Sequence, residues 1–143
     1  MFKYNFYLLI AGSRDFMNYD LLKSTCDRLL RNKIKTHNII IVGGKAKGAD
    51  TLGEQYGIER GFKVISKPAN WKLFKGQAGH VRNVEMGKLL KKNEYKGCIC
   101  FWDGISTGTK DMIDICSDYN IRCEVIYFKE KQTVNYSKDR LGM

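Results

Sequence analysis

The sequence predicts an α/β fold: a doubly wound, mainly parallel sheet of about five strands with helices on both faces. Three observations lead there. Short apolar runs rich in branched and aromatic residues alternate with stretches of helical periodicity along the chain. Alternation of that kind packs as a parallel sheet covered on both sides, with right-handed crossovers. Glycine-rich segments follow the first, second and fourth runs, at the carboxyl ends of the strands, where such sheets bind ligands.

Taken in order, Tyr4 to Ala11 is the first strand, and Gly12-Ser13-Arg14-Asp15-Phe16 is its loop. Asn18 suits a helix cap, and Leu21, Leu22, Thr25, Cys26, Leu29 and Leu30 recur at helical spacing through Arg31. Asn38 to Val42 is a β-branched run suited to a strand buried on both faces. Gly43-Gly44 and Gly48 let the chain turn tightly into a helix over Ala49 to Arg60, ended by Gly61. Within it Gly53 and Gly57 each cost about 1 kcal/mol relative to alanine, so their face is expected to pack closely on the sheet.

Phe62 to Ser66 is a short third strand, and Lys67 to Gln77 a loop carrying the single proline, Pro68, with Trp71 and Phe74. Ala78 to Lys92 is a helix, with Val81, Val84, Met86, Leu89 and Leu90 partly buried. Gly97 to Trp102 is the fourth strand. Asp103-Gly104-Ile105-Ser106-Thr107-Gly108 is a second glycine-rich loop leading into a helix over Thr109 to Tyr119. Arg122 to Phe128 is the last strand, and residues 129–143 form a polar tail. One domain over 1–143 is expected, with no repeat and no linker.

Composition narrows the function classes. With 43% hydrophobic and 28% charged residues in 143, the chain suits a globular fold, and no apolar run approaches the length that spans a bilayer. The N-terminal apolar stretch lacks a cleavage site and reads as a strand, so a cytoplasmic location is expected. Cysteines number five, an odd count within apolar runs, which favours reduced core thiols. The Cys98-x-Cys100 spacing does not suit zinc, and His37 and His80 are the only histidines, so no metal is expected. The formal net charge of +10 favours anionic partners. Lys88, Lys91, Lys92 and Lys96 suit a solvated helix end.

The loops supply the candidate site. A strand, a glycine turn (Gly43, Gly44, Gly48) and a helix start make a first phosphate cradle, which Lys45 and Lys47 can neutralise. Asp50 stabilises the helix dipole there. Gly12 and Ser13 shape the first loop, where Arg14 can clamp a phosphate and Asp15 can accept hydroxyls. Arg82, with Asn83 and His80, sits at a helix start, where a cation is unfavourable unless an anion lies near. Asp103, Gly104, Ser106, Gly108, Thr109 and Lys110 make a second cradle. Trp71 and Trp102 offer faces to a base.

Five motifs occur in register: Gly12-Ser13-Arg14-Asp15, Gly43-Gly44-x-x-x-Gly48-Ala49-Asp50, Pro68-Ala69-x-Trp71, Ala78-Gly79-x-x-Arg82-Asn83 and Gly104-x-Ser106-x-Gly108-Thr109-Lys110. Together they resemble the YspA/YpsA-related branch of the SLOG superfamily, from about Ile10 to Tyr127. The resemblance implies a Rossmann-like fold that binds a nucleotide or ADP-ribose-type derivative, as a sensor or sequestering protein, with a place in bacterial or phage defence signalling. It implies no cofactor beyond that ligand, and a homo-oligomer is expected. Related SLOG branches imply two alternatives: a Lonely Guy-type nucleotide N-glycosidase or phosphoribohydrolase, with Asp103, Arg82 and Asp111 as catalytic candidates, and single-stranded DNA binding of the DprA type. The chain departs from the pattern at Asn70 and His80, where the family has aspartate and proline. It departs again at Met112, where the Lonely Guy enzymes carry a glutamate. Without that carboxylate the oxocarbenium-like state of glycosidic cleavage loses charge stabilisation, unless Asp15, Asp50 or Asp103 supplies it.

Overall fold

The computed structural model describes residues 3–129; the tail expected from Lys129 lies, past that residue, outside them. Five strands form one parallel sheet in the order β3-β2-β1-β4-β5. They are β1 (Tyr4–Gly12), β2 (His37–Gly43), β3 (Lys63–Ser66), β4 (Lys96–Trp102) and β5 (Cys123–Tyr127). The helices are α1 (Tyr19–Leu30), α2 (Ala49–Glu59), α3 (Trp71–Phe74), α4 (Ala78–Lys91) and α5 (Thr107–Asp118). The doubly wound α/β expectation holds, with the winding reversing between β1 and β4.

Alternation along the central strands divides the core. Phe6, Leu8 and Ile10 of β1 join Ile39, Ile41, Ile99 and Phe101 on one face, together with Leu22, Cys26 and Leu30 of α1 and Tyr56 of α2. Leu9 and Ala11 turn the other way, among Val42, Cys98 and Cys100, and meet Met86 and Leu90 of α4 and Met112, Ile115 and Cys116 of α5. Asn18 caps α1 as expected, its Oδ1 accepting from Leu21 N at 3.0 Å.

Gly53 and Gly57 do face the sheet. A Cβ on Gly53 would meet Ile10 Cγ2 at 2.7 Å, and one on Gly57 would meet Val64 Cγ2 at 2.8 Å. On the solvent side α1 and α2 are tied by Asp27, which accepts from Tyr56 Oη at 2.6 Å and Arg60 Nε at 3.1 Å.

Two boundaries differ from the sequence reading for visible reasons. The segment 67–77, expected as a loop, contains α3, because Asn70 Oδ1 caps it through Leu73 N at 3.0 Å. The aspartate of the family pattern would make the same cap, so the change to Asn70 leaves this local role intact. Helix α5 begins at Thr107, two residues early, because Asp103 Oδ1 accepts from Ile105 N at 2.9 Å and Ser106 N at 2.7 Å and turns the chain into the helix.

Candidate functional site

The loops after β1 and β4 are stitched together at the switch point. Ser13 N donates to Phe101 O at 2.9 Å, and Asp103 N donates to Ser13 Oγ at 3.1 Å. Phe16 is fully buried and stacks on Phe101, with ring centroids 4.6 Å apart. Gly48, at φ +78°, passes so close to this loop that a Cβ would lie 2.3 Å from Ser13 O.

Between these loops and the start of α4 opens a cavity of about 630 Å³. Of the sequence-predicted residues, Gly12, Arg14, Asp15, Asp50, Trp71, His80, Arg82, Asn83, Asp103, Ser106, Gly108, Thr109 and Asp111 border it. Gly44, Lys45 and Lys47 border an adjoining compartment of about 250 Å³, which shares Arg14, Ala46, Trp71 and Arg82 with the first.

Six predicted residues line neither space, among them Trp102, whose Nε1 donates to Ser106 O at 2.9 Å and whose ring lies against Tyr127. Ser13 is buried beneath the loop, and Gly43 packs on the Glu54 side chain. Gly48 and Gly104 serve the turns at positive φ. Lys110 pairs with Asp114 at 2.7 Å on the outer side of α5.

The first cradle already holds an anion. Asp50 is 4% exposed, and its Oδ2 accepts from Gly44 N at 3.2 Å. Burial pushes its carboxyl up to about 6, against the Arg82 charge and the N–H groups of Ala46, Gly44 and Gly12. The glycine loop thus spends its donors on the protein's own carboxylate. Arg82 covers the same corner: Nη1 donates to Gly44 O at 2.7 Å and Nε to Asn83 Oδ1 at 3.0 Å. The carboxylate beside it supplies the compensation that a cation at a helix start requires.

The second cradle is open. No side chain caps α5, and its first residues, Thr107, Gly108 and Thr109, border the cavity. First-turn N–H groups have no intrahelical acceptor and carry the positive end of the helix. A Cβ on Gly108 would meet nothing within 4 Å. Arg14 reaches the same cavity, and no acceptor among the described residues engages its guanidinium. Its neighbour Asp15 pairs with Lys129 instead. Asp103 is pushed up by partial burial, but the N–H groups of Ser106 and Ile105 outweigh that and hold its carboxyl below the usual range.

Two residues gain weight that sequence spacing did not give them. His80 Nδ1 lies 3.0 Å from both carboxylate oxygens of Asp111, and Asn83 Nδ2 donates to Asp111 Oδ2 at 3.0 Å. The pair is separated by 31 residues, which is why no local motif announced it. Met112, in place of the Lonely Guy glutamate, is buried in the cavity wall.

A parallel, doubly wound domain with a cavity at its switch point, bordered by Arg14, Arg82 and the start of α5, is the class that fold and site define. Residues 6–74 match the model of the YspA, cpYpsA-related SLOG family, YAcAr, and over that part the chain carries the family's sequence pattern. The motifs from Ala78 to Lys110 lie beyond the matched span. No curated protein matches the sequence. Among solved structures, the X-ray structure of DNA processing protein A (DprA) from Streptococcus pneumoniae is similar, with a TM-score of 0.59 and 14% identity. The likeness covers 85% of this chain and 50% of that one, so the chain spans about half of its length; at that identity the shared property is the fold.

Proposed function

We propose that the cavity binds a phosphate-bearing nucleotide or an ADP-ribose-type derivative, and that the protein acts as its sensor or sequestering agent. The observation that carries this reading is the joint presence of the uncapped α5 start and the unengaged Arg14 on one cavity. Free helix N–H groups and a guanidinium both suit phosphate oxygens. The adjoining compartment shares Arg14 and Arg82, so a diphosphate held at the arginines can send a group into each space. Trp71, 54% exposed on the shared wall, offers a ring face to a base. The SLOG match supports a nucleotide-related ligand. A place in defence signalling rests on that family resemblance alone.

Isothermal titration with cyclic, ADP-ribosyl and mononucleotide ligands tests the reading. Saturable binding that weakens on Arg14→Ala supports it, and silence across the panel overturns it. An oligonucleotide arm addresses the fold likeness to a DNA processing protein: DNA binding would show steep salt dependence.

Hydrolysis of an N-glycosidic bond is the second reading, favoured by the His80–Asp111 contact. An imidazole oriented by a carboxylate through Nδ1 has its other nitrogen available to take a proton from water. Release of free base from a nucleoside monophosphate, lost in His80→Ala and Asp111→Asn, supports it; unchanged substrate after long incubation removes it.

A further inference from the structure

Four of the five cysteines meet beneath the edge strand β5, on the sheet face opposite α1 and α2. Cys98 and Cys100 point to one face of β4, two residues apart. Cys123 is the register partner of Cys98 on β5, and Cys116 descends on both from α5. The sulfurs of Cys98, Cys116 and Cys123 all lie within 4.8 Å of one another. Cys100 Sγ adjoins them, 3.7 Å from Cys98 Sγ and 3.8 Å from Cys123 Sγ. Their hydrogen-bond partners among the described residues are each other, and Leu9, Met86, Leu90, Met112 and Ile115 make up the surrounding core.

We propose that Cys98, Cys116 and Cys123, with Cys100 at their edge, form a thiolate site for one thiophilic cation of the zinc class, separate from the anion cavity. An ion at the centre of the triangle lies roughly 2.8 Å or less from each sulfur, against a zinc–thiolate bond of about 2.3 Å. The sulfurs close that difference by moving roughly half an ångström each, within reach of side-chain adjustment. Zinc has no geometric preference of its own, so a three-sulfur site with a fourth sulfur beside it is compatible with it. On binding, metal–sulfur bonds replace S–H bonds, and the protons leave to solvent. Cys123, half-buried on the edge strand, is the point of entry.

Linear spacing argued against a metal because the ligands are spread over 26 positions, 98 to 123, and come from three elements. Packing of small apolar thiols is the competing explanation. The metal would pin the later turns of α5 to β4 and β5, and the first turn of the same helix borders the anion cavity.

The test uses the full chain, reduced and stripped with a chelator, then titrated with Co²⁺ as the probe. One equivalent should produce a sulfur-to-metal charge-transfer band and the visible bands of a tetrahedral or trigonal thiolate site. One equivalent of Zn²⁺ should bleach them. Cys116→Ser and Cys123→Ser should each weaken binding by more than about tenfold, the loss typical of even an outer partner. Cys26→Ser, on the other sheet face, should bind like the parent. Absence of the bands in the parent chain overturns the proposal without requiring any variant to fold. Bands that survive both serine changes overturn it too, as does a Cys98–Cys123 disulfide whose reduction restores no cobalt binding.

Discussion

Arg82 Nη1 donates to the carbonyl oxygen of Gly44 at 2.7 Å, joining the start of α4 to the loop after β2. A Cβ on Gly44 would lie 2.7 Å from Arg82 Cδ and 2.8 Å from Asp50 Oδ2, so glycine, arginine and carboxylate pack as one unit. Gly44→Ala should therefore displace Arg82 and weaken ligand binding. The overpacking should also cost about 1–3 kcal/mol, read from urea unfolding. An alanine variant with parental stability and affinity would show that the three residues move independently.

The open space at Gly108 allows a test that separates site from fold. Gly108→Asp puts a carboxylate in the first turn of α5, where negative charge is favourable to the helix by about 0.3–1 kcal/mol. The same carboxylate occupies the position proposed for phosphate and repels it. The melting temperature should hold or rise while phosphate-ligand affinity falls by at least about tenfold, a loss of about 1.4 kcal/mol. Calorimetry and a thermal melt on one preparation read both. Undiminished affinity would move the phosphate away from α5.

Helix propensity and packing oppose each other at Gly53. Alanine in a helix interior is better than glycine by about 1 kcal/mol. Here its Cβ would press on Ile10, with the nearest atoms of that side chain at 2.7 and 2.8 Å, in a fully buried layer. Overpacking of this kind costs about 1–3 kcal/mol, so packing wins. Gly53→Ala should lower stability in urea, and a stabilised variant would mean that α2 has room to lift from the sheet.

Periodicity made the sheet and the helices α1, α2, α4 and α5 legible, but not the short α3; β1, β2 and β4 are covered on both faces and read as continuous apolar runs. Loops at strand ends were legible for the same reason: once β1 and β4 are strands, Gly12 to Asp15 and Asp103 to Gly108 must fall at the carboxyl edge. What sequence spacing cannot carry is which N–H groups stay free. Gly44 N is spent on Asp50, whereas the α5 start is not capped, and only the folded chain distinguishes them. Contacts over long separations were equally hidden. His80 and Asp111 stand on different helices, and the cysteine cluster draws on β4, β5 and α5.

Asp50 gives the site a pH dependence whose sign can be worked out. Its folded carboxyl titrates at about 6, above the ordinary value of 3.8, because burial outweighs Arg82 and the surrounding N–H groups. The folded state therefore binds more protons than the unfolded one between about pH 4 and 6, and stability falls as pH rises through that window. Two pH units correspond to about 3 kcal/mol of cost, fully present above pH 6. Asp50→Asn keeps an oxygen for Gly44 N and removes the titration. Asp27 and Asp103 lie below their ordinary range and tilt the parent curve the opposite way, so the difference between parent and variant is the quantity to measure. Relative to the parent, Asp50→Asn should gain stability progressively from about pH 4 to 6 and level off above. A phosphate arriving beside Asp50 raises its carboxyl further, so binding near pH 6 should take up protons. Titration calorimetry in two buffers of different ionisation enthalpy reads that uptake. Equal heats in both, together with a flat stability difference, would mean that Asp50 stays ionised and that its charge is fully matched by Arg82.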